Sequence, residues 1–167
     1  MALAQHYGLP SNGLDVTSSD DVAVWFATNT YEVDNSTGLA KYSKMKPSDW
    51  PADPELWPVI FICQTVTNST QGSLHQCHEL DDFGFEAKRP SLQQAKFFLG
   101  GHTDHQNRLA ETVVCAFRLK PGTYETKASF DTLFPSPDAD PAYHLMLQFA
   151  DAHKSSWGKF INKFHPL

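Results

Sequence analysis

Apolar positions in this chain cluster into short periodic stretches, separated by polar segments rich in turn formers. Val22, Trp25 and Phe26 recur at i, i+3 and i+4 spacing, which marks one face of a helix. Ser18 or Ser19 stands ready as its N-cap, with Asp20 and Asp21 in the first turn, at the positive end of the dipole. A helix over 18–28 is expected. Before it, Leu14 to Thr17 reads as short and extended, and Ala2 to Tyr7 as a short helix stopped by Gly8 and Pro10. Trp57 to Thr67 (WPVIFICQTVT) is rich in β-branched and aromatic residues and reads as a buried strand. Thr112 to Leu119 (TVVCAFRL) is a second strand, closed by the turn Lys120-Pro121-Gly122.

The remaining segments are less regular. Arg89 to Leu99 fits a helix and a strand equally well, and Phe83 to Phe85 reads as extended. Asp140 is an N-cap with Pro141 at the first helical position, which opens a helix over 141–153 carrying Tyr143, Leu147 and Ala150. Residues 29–56 read as an irregular excursion in which Pro47, Pro51 and Pro54 discourage regular structure. Residues 68–78 read as a polar loop. The tail from Trp157 to Leu167 is aromatic and basic, and is expected to dock on the body. Helices and strands are mixed without regular βαβ alternation and without a repeat. The expected class is α+β, a single domain with a small mixed or antiparallel sheet flanked by helices.

Composition supports that picture. At 167 residues, with 41% hydrophobic residues and 12 Phe, the chain can bury an aromatic core without disulfides. The formal net charge of -6 argues against non-specific nucleic-acid binding, because that affinity comes from clustered Lys and Arg. No segment is long and apolar enough to span a membrane, and MALAQHYG lacks the features of a signal peptide, so no membrane partner and a cytoplasmic location are expected. Cys63 and Cys115 sit in the apolar runs and read as buried thiols.

The polar residues of the N-terminal segment carry the most chemical detail. Gln5-His6-Tyr7-Gly8-Leu9-Pro10, then Leu14, Asp15 and Thr17, then Ala23, Phe26 and Ala27 form a recognisable pattern. It resembles the FRG domain, a module of bacterial and phage proteins whose motif continues through Leu-Leu-Asp-Trp-Thr into Ala-x-x-Phe-Ala. A later family motif, Arg followed by Gln four residues on and an aromatic four further, is matched by Arg89, Gln93 and Phe97. Ser11, Asn12 and Gly13 stand where the family has Thr-Arg-Leu, and Val16 stands where it has Trp. The family's upstream aromatic-Arg-Gly strand has no counterpart in these residues. On that reading, 1–167 is a single FRG-like domain whose missing strand comes from another segment or a partner protein.

The FRG pattern is similar in layout to mono-ADP-ribosyltransferases, which implies a sheet split around an NAD-sized cleft. NAD would then be the substrate, with ADP-ribose transferred or the glycosidic bond hydrolysed, in a toxin or phage-defence setting. The resemblance implies that His6 and Tyr7 shape the cleft, that Thr17 and Ser18 contact ribose, and that Arg89 contributes to substrate binding. Gln93, Glu86 and Asp15 are the candidates to stand at the reacting carbon, where a carboxylate stabilises an oxocarbenium-like centre. The alternative is a degenerate FRG-like module that binds a partner without catalysis.

Each of these residues also has a plain structural reading. His6 and Tyr7 can cap a core corner, Asp15 can accept hydrogen bonds from a turn, and Thr17 and Ser18 can cap a helix. Arg89 and Gln93 can be surface positions of a helix, whereas Trp25, Phe26 and Phe97 belong to the core. His75, Cys77 and His78, with His102 and His105, match no zinc-finger spacing, and no metal is expected.

Overall fold

The computed structural model describes residues 2–10, 13–64, 72–76, 86–100, 110 and 112–165. Helix α1 (Ala2–Gln5) leads through a turn to strand β1 (Leu14–Thr17) and helix α2 (Asp20–Ala27). Ser19 is the N-cap of α2, its hydroxyl accepting from the Val22 amide. Val22 and Trp25 face inward, as their spacing requires. Asp21 does more than complement the dipole: its carboxylate accepts from the amides of Lys127 and Ala128 and so ties a distant loop to the helix start.

Residues 29–56 depart from the expected excursion. Strands β2 (Asn29–Val33) and β3 (Ala40–Lys44) form an antiparallel hairpin there. Its turn is built by Asp34, whose carboxylate accepts from the Ser36 amide, and by Gly38 at positive φ. Thr30, Tyr31, Val33 and Tyr42 are good strand formers, but the prolines beyond the hairpin masked its pattern. After two short 3-10 turns comes β4 (Val59–Cys63), the first of the two strands read from composition.

β4 pairs antiparallel with β7 (Val113–Arg118). The pair forms its own two-stranded ribbon rather than joining the other strands. With no third strand on either edge of the described pair, its apolar residues stay open: Phe61 and Phe117 are 60% and 52% exposed. The expectation of buried strands is thus corrected, as is that of buried thiols, since Cys63 is half-buried and Cys115 exposed. The polar segment 68–78 contains β5 (Gly72–Gln76), which packs beside β6 (Ala95–Gly100) in a three-stranded antiparallel sheet of order β1-β6-β5. Phe83–Phe85 lies outside the described residues.

The ambiguity of 89–99 has a physical resolution. Helix α3 (Lys88–Leu92) ends at Gln93, Gln94 takes a left-handed conformation with φ of 45°, and the chain leaves as β6. One segment is therefore helix, then turn, then strand. Helices α4 (Phe130–Leu133) and α5 (Pro141–Ala152) follow, the latter capped by Asp140, as its sequence signals. The architecture is α+β, with small antiparallel sheets and short helices.

Aromatic rings dominate the packing between α2, the β2–β3 hairpin and the C-terminal segment. Trp25, Tyr42, Phe134 and Phe164 stack or tilt against one another, the closest centroids being Phe134 and Phe164 at 4.6 Å. The docked tail is real: Ile161 and Phe164 are buried, and the Ala40 amide donates to the Lys163 carbonyl. Replacing Phe134 by Ala removes the ring that all of these share. The expected loss is about 3–5 kcal/mol of unfolding free energy, read as a lowered urea midpoint at unchanged slope.

Candidate functional site

The turn after α1 presents His6 and Tyr7, and Gly8 ends it with φ of 108°. A Cβ at Gly8 would stand 2.2 Å from the Phe160 carbonyl oxygen, so only glycine allows the tail to lie against this turn. The Asn162 amide donates to the Tyr7 carbonyl at 2.9 Å and seals that contact. Strand β1 runs antiparallel to β6 with Asp15 opposite Phe97 and Thr17 opposite Ala95. That register sets Asp15 beside the His6 turn and Thr17 beside the end of α3.

Four of the sequence-predicted residues meet there. His6 Nε2 lies 3.6 Å from Asp15 Oδ1. The Gln93 side chain hydrogen-bonds to His6, while its Nε2 donates to the Leu133 carbonyl at 3.0 Å. Thr17 Oγ1 donates to the Gln93 carbonyl at 2.8 Å and accepts from the Ser19 amide at 3.1 Å. Ser18 joins the same turn through its amide and hydroxyl, both directed at the Gln94 carbonyl. The His6 side chain is 3% accessible, that of Asp15 38%, so the carboxylate is the open member of the pair.

Burial lowers the His6 pKa from its ordinary value; Asp15 and Gln93 act to raise it, and Arg89 lowers it further. Burial also raises Asp15, against the pull of His6 and of a hydrogen bond from Gln5. Desolvation thus pushes both partners toward their neutral forms, and their mutual attraction offsets part of it. Burial thus favours the uncharged imidazole of His6, which is held against a half-exposed carboxyl group.

Arg89 and Tyr7 are placed differently. Both are 0% exposed. The Arg89 guanidinium lies over the rings of Tyr7 and Tyr143, at 4.6 and 4.3 Å from their centroids, and its Nη1 donates to the His6 carbonyl at 3.0 Å. Nε and Nη2 have no hydrogen-bond partner among the described residues, and the rings supply compensation for a desolvated cation. Enclosure of this kind corrects the reading of Arg89 as a surface residue. Glu86 stands apart as well: its carboxylate is half-exposed and pairs with Lys88 at 3.0 Å.

Asp140 is the residue that sequence reasoning underrated. Read as the cap of one helix, it is fully buried and accepts from four donors. Its carboxylate caps α5 by accepting from Tyr143 N, accepts from Lys88 N and Arg89 N at the start of α3, and accepts from the Tyr7 hydroxyl at 2.8 Å. Asp140-Pro141 signals the first role; nothing local signals the other three. Cys77, His78, His102 and His105 lie outside the described residues, and only the backbone of His75 is described. Among the described residues no group of three or more His, Cys, Asp or Glu could hold a metal ion, and no helix is long and apolar enough to cross a membrane.

The class is therefore an α+β domain in which an N-terminal His-Tyr-Gly turn and a strand–helix unit meet the end of a second helix at a polar cluster. The model of the FRG domain matches residues 1–36, the span that contains His6, Tyr7, Asp15, Thr17 and α2. The chain thus carries an FRG-domain signature over that span. No curated protein and no solved structure matches it.

Three outcomes follow from the site. The folded His6 pKa lies below the ordinary 6.5, so the unfolded chain takes up that proton first as the pH falls. Its contribution to stability is present above 6.5 and is lost as the pH drops from 6.5 toward the folded value. Urea midpoints measured against pH should show this decline in the native chain and a flatter profile in His6→Gln. By NMR titration, Asp15→Asn should lower the His6 pKa further, since Asp15 is the strongest influence raising it. Separately, Tyr7→Phe keeps the ring but strips a donor from Asp140, for an expected cost of about 1–3 kcal/mol in denaturant unfolding.

Proposed function

We propose that this chain is an FRG-type domain that binds NAD and cleaves its nicotinamide–ribose bond, passing ADP-ribose to an acceptor or to water. The observation that carries the reading is the His6–Asp15–Gln93 cluster, in which a buried imidazole lies 3.6 Å from a carboxylate open to solvent. The bond between the ribose anomeric carbon and nicotinamide breaks with its electron pair leaving on nicotinamide. Asp15 faces the oxocarbenium-like charge that remains. Asp15, the open member of the pair, takes the proton of the incoming water or acceptor hydroxyl as the new bond forms, and His6 behind it supports the carboxylate. Thr17, Ser18, Arg89 and Tyr7 hold these groups in place through backbone and ring contacts. A toxin or phage-defence role suits such an activity, because depletion of NAD or modification of a target arrests a cell.

A second reading, a non-catalytic interaction module, draws support from specific features. Arg89 is enclosed, both hydrogen-bonding functions of Thr17 are spent on backbone, and Glu86 is paired with Lys88. Calorimetry with millimolar NAD and chromatographic assay of nicotinamide release separate the two. The first reading expects saturable heat and release, with Asp15→Asn slowing release on the order of 10²–10³-fold and His6→Gln on the order of 10²-fold while both variants stay folded. No heat and no release from the folded protein would leave the interaction module as the function.

A further inference from the structure

The tail docks through part of its length only. Ile161 and Phe164 go into the core, but Trp157 and Phe160 stay 59% and 42% exposed. They belong to the 3-10 turn Trp157–Phe160, and their centroids are 6.0 Å apart. The turn is pinned to the end of α5. A Cβ at Gly158 would stand 2.5 Å from the Ala150 carbonyl oxygen, and the Gly158 amide donates to the His153 carbonyl. The backbone that carries the two rings is therefore fixed, which lowers the ordering cost when something covers them.

The surroundings are basic in an otherwise acidic chain. Lys159 lies over the Phe160 ring at 5.0 Å, Lys154 is exposed, and Lys163 follows close behind. Asp151 pairs with Lys154 at 2.6 Å, and the field of Lys163 also reaches it. Between residues 150 and 165 the three lysines and one aspartate leave a net of two positive charges, in a chain whose net charge is -6. We infer that this knob is a docking site for an acidic, apolar-containing peptide segment of a partner protein.

Charge and geometry choose that occupant. An anionic lipid surface gains roughly fivefold in affinity per lysine, so two net charges are marginal for a membrane. A nucleic-acid strand wants ring planes that suit successive stacked bases. Here the two planes meet at 52°. A peptide can set its carboxylates individually against Lys154 and Lys159 and lay an apolar side chain over the angled pair. Trp is among the residue types that dominate binding hot spots.

The test uses the full chain and a fluorescein-labelled 12-residue peptide of Asp, Glu and Leu, with fluorescence anisotropy as readout. Binding is expected to weaken at least tenfold in Trp157→Ala and in Lys159→Glu, and to weaken with added salt. Both positions are exposed, so a circular dichroism melt should match the native chain. A peptide with Lys in place of the acids, phosphatidylserine vesicles and an oligothymidine serve as competitors. Absence of peptide binding, binding unaffected by both substitutions, or tighter binding to vesicles or oligothymidine would each overturn the assignment. The outcome is independent of NAD turnover.

Discussion

A buried carboxylate is tolerable only when its lone pairs are filled, and Asp140 fills them from three separate parts of the chain. Tyr7 comes from the first turn, the Lys88 and Arg89 amides from the start of α3, and the Tyr143 amide from the start of α5. Helix starts carry orphan donors and partial positive charge, so one anion serves both helices. The arrangement is unforgiving. Loss of the carboxylate would strand four donors, and loss of the donors would strand a buried charge.

Arg89 extends this tie toward the site. Its charge is desolvated, and burial lowers its pKa while Tyr143, Tyr7 and Asp140 push it back up. The guanidinium then spends its Nη1 hydrogen bond on the His6 carbonyl. His6 is thus held through its carbonyl by Arg89, with Asp15 and Gln93 beside its ring. Tyr7 and Arg89 are enclosed, and of the polar cluster Asp15 lies at the rim. The same logic places the tail: Gly8 lets it lie on the His6–Tyr7 turn, and Phe164 closes the aromatic core beside Arg89.

Much of this was legible in the sequence where local rules apply. Ser19 with two aspartates, and Asp140 with Pro141, announced α2 and α5 because caps act within one turn. The QHYGLP segment lies at the polar cluster, where Arg89 donates to the His6 carbonyl and Thr17 to that of Gln93. Their roles were less legible. Whether an arginine at the first turn of a helix meets solvent or four rings depends on what packs over it, and spacing carries no such information. The hairpin at 29–44 and strand β5 were missed for a related reason, since polar strands show their period only once a partner is known.

The sequence by itself determined the helix starts, the strand-forming runs, the stop at Gly8 and the set of side chains available for chemistry, because each rests on interactions within a few residues. Only the tertiary structure decided which of those side chains are buried frame and which are open. His6 and Asp15, Arg89 and Tyr143, and Asp140 and Tyr7 are brought together from distant parts of the fold. Burial, the quantity that sets their charge states and their reach, exists only after the chain has closed around them.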